Sequence, residues 1–116
     1  MTNPQPVRIG PAGAEELLLP GGPPLGVDPT AEYPLGRHRL AVGDSLLAYT
    51  DGLVEDRDED YDESVQRMLG GLALWNRRTG AEPSLERLAD LLTLNVTERH
   101  SRPDDVALLL LHRPSD

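Results

Sequence analysis

Two carboxylate positions invite chemistry because of what borders them. Asp51 closes the run Ser45-Leu46-Leu47-Ala48-Tyr49-Thr50 and is followed at once by Gly52; Asp104 and Asp105 open the run Val106-Ala107-Leu108-Leu109-Leu110-Leu111. Apolar residues at successive positions would face both ways in an extended chain, so each run reads as a strand buried on both sides. An acid at the mouth of such a strand is held by rigid backbone, and Gly52 can take a positive φ or let another group come close. If the two strands are neighbours, their carboxylates could meet, and carboxylate oxygen is the ligand hard divalent cations prefer. Asp also serves as a plain cap or turn residue at strand ends, and spacing alone leaves both roles open.

Composition narrows the field. The chain has 116 residues, enough for one core, so 1–116 reads as a single domain or part of one. Phe is absent and the interior must be built from Leu, Val and Ala. The formal charge of −9 argues against a nucleic-acid partner, which requires a basic surface. With no Cys there is neither a disulfide framework nor thiolate chemistry. His38, His100 and His112 show no metal-ligand spacing and read as surface or packing residues. The first residues lack signal-peptide character, and no apolar run approaches the ~18 residues needed to cross a bilayer, so a cytoplasmic protein without membrane contact is expected.

The elements that must position the acids follow from pattern. Val7 and Ile9 alternate with polar neighbours before the turn signal Pro11-Ala12-Gly13, which predicts a hairpin with Glu15–Leu19 as the return strand. Residues 20–27 carry too many Pro and Gly for regular structure and form a loop. Tyr33–Ala41 is weakly strand-like and meets the turn Val42-Gly43-Asp44, predicting a second hairpin across 35–50. Seven acids crowd Glu55–Glu63. Asp56, Asp58 and Asp60 mimic a calcium loop, but Tyr61 and Arg67 stand where that loop needs Gly and Glu, so the run reads as a solvated loop and helix start. Val65, Met68, Leu69, Leu72 and Trp75 mark a helix over 62–78, in which Gly70 and Gly71 suggest a close packing point. A second helix is expected after Pro83, with Ser84 as N-cap and Leu85, Leu88, Leu92 and Val96 as its buried stripe. The order places the last strand beside 45–50, with both helices packed across the sheet as the connection.

With these residues placed, the chain resembles the SpoIIE-type branch of the PPM family, the metal-dependent serine/threonine phosphatases of bacterial stress and sporulation signalling. Gly-Pro-Pro-Leu-Gly-Val at 22–27 resembles the family's Pro-Leu-Gly loop. The stretch 40–55, Leu-Ala-Val-Gly-Asp-Ser-Leu-Leu-Ala-Tyr-Thr-Asp-Gly-Leu-Val-Glu, resembles its most distinctive motif, and 103–109, Pro-Asp-Asp-Val-Ala-Leu-Leu, its terminal Asp-Asp strand. The resemblance implies an α+β chain: part of an αββα PPM-phosphatase-like fold, mostly antiparallel, with two helices between the last two strands. It also implies a binuclear manganese or magnesium site to which Asp51 and Asp104 would contribute ligands, with Asp105 and Gly52 behind them. Such a site activates water without a protein nucleophile. By the same resemblance the substrate would be a phosphorylated serine or threonine on an anti-anti-sigma-like protein.

The motifs match the C-terminal half of that fold, and the family's remaining ligands, including a bridging Asp, belong to its N-terminal half. Weak metal binding and little or no phosphatase activity are therefore expected of these residues alone. A complementing phosphatase half, or a homodimer, is the expected partner. The alternative is a non-catalytic remnant that binds proteins or regulates them.

Overall fold

The computed structural model describes residues 4–19, 29, 30, 32, 35–54, 60–79, 84–99 and 106–114, with the side chains of 77–79 and 95–99 left aside. Four strands form one antiparallel sheet in the order β2-β1-β3-β4, where β1 is Val7–Gly10, β2 Gly13–Glu16, β3 Ser45–Tyr49 and β4 Leu108–His112. Helices α1 (Tyr61–Thr79) and α2 (Leu85–Arg99) lie between β3 and β4 in sequence. The chain is thus α+β with the expected order of elements.

The β1–β2 hairpin forms because Gly13, at φ 126°, takes a backbone conformation closed to most residues. The return strand starts there, two residues before the expected Glu15. Register then decides which side chains share a face: Val7 is opposite both Glu16 and Leu47, and Leu47 is opposite Leu110. Val7, Ile9, Leu47 and Tyr49 point to one face and are buried there with Leu53, Val54, Val65, Leu72 and Leu88. Val65, Met68, Leu69, Leu72 and Trp75 of α1 all reach this core, as the helical spacing predicts. Helix α1 crosses it from the Tyr49 end of the sheet to the opposite end, where Asn76 Nδ2 donates to Gly10 O at 3.0 Å. Helix α2 is capped as expected, with Arg87 N donating to Ser84 Oγ at 3.3 Å.

Three expectations fail for identifiable reasons. The strands are not buried on both faces: Leu46 and Ala48 are half-buried, and Leu109 and Leu111 are 57% and 48% exposed, because the helices cover one face alone. No strand pairs from 35–41. Both edges of β3 are already taken by β1 and β4. The carbonyls of Arg39 and Leu40 instead accept hydrogen bonds from Arg8 Nη1 at 2.8 Å and Arg113 Nη1 at 2.7 Å. Gly70 and Gly71 are not a close packing point, since a Cβ on either would meet nothing within 4 Å. Their cost to the helix, roughly 1 kcal/mol each against Ala, has no contact to offset it. The 20–27 loop and most of the acidic run, 55–59, lie outside the described residues.

Candidate functional site at the end of strand β3

Because β3 and β4 are antiparallel, the end of one is the start of the other. Thr50 N donates to Ala107 O at 3.0 Å and Ala107 N to Thr50 Oγ1 at 2.9 Å, so pairing persists past Tyr49. Beyond Thr50 the chain turns into a short 3-10 segment, Asp51–Leu53, closed by Val54 N donating to Asp51 O at 3.0 Å. Asp51 therefore stands at the end of the sheet where β4 begins. Asp104 and Asp105, just upstream in sequence, lie outside the described residues. Gly52 is buried within the 3-10 segment, and the positive-φ glycines of the described chain are Gly13 and Gly43, so Gly52 does not use that freedom.

Side chains that spacing did not single out gather around Asp51. Tyr61, the first residue of α1, donates its hydroxyl to Asp51 Oδ1 at 3.0 Å. Burial, followed by this bond and the Asp51 charge, pushes the Tyr61 phenol well above its ordinary range. Tyr49 is 8% exposed, and its hydroxyl is buried with no hydrogen-bond partner. Burial pushes its phenol up to about 12, with the charges of Glu16 and Asp51 adding to the effect. Glu16 is thus a second carboxylate whose field reaches both phenols. The sequence held one signal for Tyr49, its odd position on the strand, which puts it on the face shared with Ser45 and Leu47. It held none for Glu16, which arrives through the register of β2 on β1.

The carboxylates of Asp51 and Glu16 match a hard divalent cation in kind, whereas the Tyr49 phenol, kept protonated by burial, does not. They do not complete a coordination shell, because no group of three or more His, Asp or Glu among the described residues is placed to hold an ion. The two described histidines take structural parts. His112 Nδ1 lies 2.8 Å from Ser45 Oγ and His38 Nε2 lies 2.9 Å from Leu18 O, while His100 is outside the described residues. No helix among the described residues is long and apolar enough to cross a membrane.

Comparison with known proteins agrees with this architecture. The family model described as Stage II sporulation protein E (SpoIIE) matches residues 2–114. The crystal structure of the RsbU and RsbW domains of a Mycobacterium tuberculosis protein superposes with a TM-score of 0.73 at 27% identity. That match covers 98% of this chain and 31% of the other. A search of curated proteins finds no match.

Proposed function

Because the chain belongs to the SpoIIE family, we propose that it carries the C-terminal half of a PPM-type domain that hydrolyses phosphoserine or phosphothreonine in a protein. The observation that carries this reading is the position of Asp51, at the end of β3 where β4 begins, with a phenol holding one of its oxygens. Asp51 and Asp104 would be metal ligands, with Asp105 and Gly52 supporting them. A pair of manganese or magnesium ions, when bound, would grip the phosphate ester and acidify a bridging water. This chain's own residues would do simpler work. Asp51 supplies negative charge on a backbone fixed by the pairing of the preceding Thr50 with Ala107. Tyr61 holds Oδ1 and leaves Oδ2 to turn toward a cation.

The other ligands would come from residues outside these 116. The 116 residues alone should then bind manganese weakly and turn over little or no phosphoserine peptide. The substrate we favour is a phosphorylated anti-anti-sigma-like protein, in keeping with the stress-signalling resemblance, and a cytoplasmic location fits it. Manganese-dependent hydrolysis of a phosphoserine peptide tests the assignment. Turnover that appears only when the rest of the domain is supplied, and disappears in Asp51→Asn, supports it. Full turnover by Asp51→Asn in that reconstituted enzyme would overturn it.

A second reading is favoured by the open face of the sheet. Leu109 and Leu111 stand exposed there beside half-buried Leu46 and Ala48. Contiguous apolar surface of this kind marks association. A non-catalytic remnant would use it to dock a complementing half or a second copy. Light scattering with a calorimetric manganese titration separates the two: a stable metal-free oligomer that ignores manganese favours the binding module.

A further inference from the structure

Among the described residues β4 pairs with β3 alone and ends the strand order β2-β1-β3-β4, so its outer side is a sheet edge. The bonds from Thr50 N to Ala107 O and from Arg113 N to Asp44 O set the phase of the ladder, in which hydrogen-bonded and non-hydrogen-bonded pairs alternate. Leu109 and Leu111 therefore bond to β3 through their main chain, opposite Ala48 and Leu46, and the main-chain groups of Leu108, Leu110 and His112 point the other way. No strand among the described residues receives them. Natural sheets guard such an edge with Lys, Pro, a bulge or a covering segment. Here the register runs from Ser45–His112 to Tyr49–Leu108 without a bulge, and the strand Leu-Leu-Leu-Leu-His holds neither Pro nor a fixed charge. Arg113, just beyond it, turns its guanidinium to Leu40 O. An edge also says what fits it, because donors and acceptors at every second residue are matched by another extended strand.

We propose that two copies of this chain join through β4, pairing antiparallel about a two-fold axis at Leu110 into one continuous sheet. A two-fold interface requires a strand that accepts its own reversed copy. Centred on Leu110, the outward groups of Leu108 meet those of the partner's His112 and the outward groups of Leu110 meet those of the partner's Leu110, each facing pair exchanging two bonds. The same register sets Leu109 opposite the partner's Leu111 on the open face, where these side chains are 57% and 48% exposed in one copy. Apolar side chains thus face each other across the joint, and no fixed like charges oppose one another there. That matters in a chain whose formal charge of −9 otherwise works against self-association. The inference does not depend on the phosphatase reading, since neither metal nor phosphate enters it.

Sedimentation and amide hydrogen exchange on the metal-free 116-residue chain, over a concentration series, test this pairing. A monomer–dimer equilibrium is expected. The amides of Leu108, Leu110 and His112 should gain protection as the dimer fills, while those of Leu109 and Leu111, bonded to β3, stay protected throughout. Leu109→Lys combined with Leu111→Lys spares the core, because both side chains stand exposed, and sets ammonium groups directly opposite each other across the joint. The dissociation constant should rise about ten-fold or more. Leu109→Glu combined with Leu111→Glu should do the same, and an equimolar mixture of the two variants should dimerise again. The proposal is overturned by a chain that stays monomeric at every concentration, by a dimer that the Lys variant leaves intact, or by a mixture that fails to restore association. It is equally overturned by a dimer in which the three outward amides exchange freely, as docking of two open faces would give. Protection of those amides that appears only when the rest of the domain is supplied would also overturn it, since a strand from there would then hold the edge.

Discussion

Strand β3 has an aspartate at each end, and the two live in opposite circumstances. Asp44, 8% exposed, is tied in on every side. Its Oδ2 accepts from Ala41 N at 3.0 Å, its backbone N donates to Ala41 O at 2.9 Å, and its carbonyl accepts from Arg113 N at 2.9 Å. Next to it, Ser45 Oγ and His112 Nδ1 pair at 2.8 Å. At the other end Asp51 has a single side-chain hydrogen bond among the described residues, and the neighbouring Tyr49 hydroxyl has none. The first end is satisfied and closed. The second keeps polar capacity where two strands meet, as the proposed metal site requires.

The largest expected effect belongs to the closed end. A Cβ on Gly10 would lie 2.5 Å from Asp44 Oδ1, so Gly10→Ala must push the carboxylate off the Ala41 amide. Destabilisation of about 2 kcal/mol in urea unfolding is expected, the sum of overpacking and a broken charge-assisted bond. A loss below about 0.5 kcal/mol would show that Asp44 has room to move, and the contrast between the two ends would weaken.

That contrast was half legible beforehand. The alternation at 7–9, the apolar runs at 45–50 and 106–111 and the helical spacing at 65–75 were enough to place β4 beside β3 and both helices between them. They were enough, too, to put Asp51 at the end of the sheet where β4 begins. Whether a strand is covered on one face or two was not legible, because Leu109 and Leu111 look the same in sequence as Leu108 and Leu110; what separates them is which face the helices choose. Tyr61 and Glu16 escaped for another reason. They reach Asp51 and Tyr49 through tertiary placement, one across the acidic loop and the other across the register of β2 on β1. The 35–41 segment shows the converse, strand-like residues with no free strand edge beside them.

Intermediate effects come from the two phenols. Tyr61→Phe removes the bond that links the start of α1 to Asp51 and should cost about 1 kcal/mol. Tyr49→Phe removes a buried hydroxyl that has no partner, so stability should stay level or rise by up to about 1 kcal/mol. The two substitutions delete the same atom at the same end of the sheet, and thermal denaturation should separate them by sign. If Tyr49→Phe is the costlier of the two, its hydroxyl is engaged in solution and the open character of this end is lost.

The smallest effect on stability is expected at the residue on which the proposed function places the greatest weight. In Asp51→Asn the carboxamide oxygen can still accept from Tyr61, and the main-chain bond from Val54 N to Asp51 O is untouched. The charge that adds to the upward push on both phenols disappears at the same time. Unfolding free energy should therefore change by less than about 0.5 kcal/mol, as for an ordinary surface substitution. Metal-dependent hydrolysis in the reconstituted domain should nonetheless be lost, because an amide oxygen carries no charge to hold a hard cation. A stability loss near that of Gly10→Ala would instead make Asp51 a structural acid like Asp44, and the metal assignment would lose its footing without any phosphatase assay.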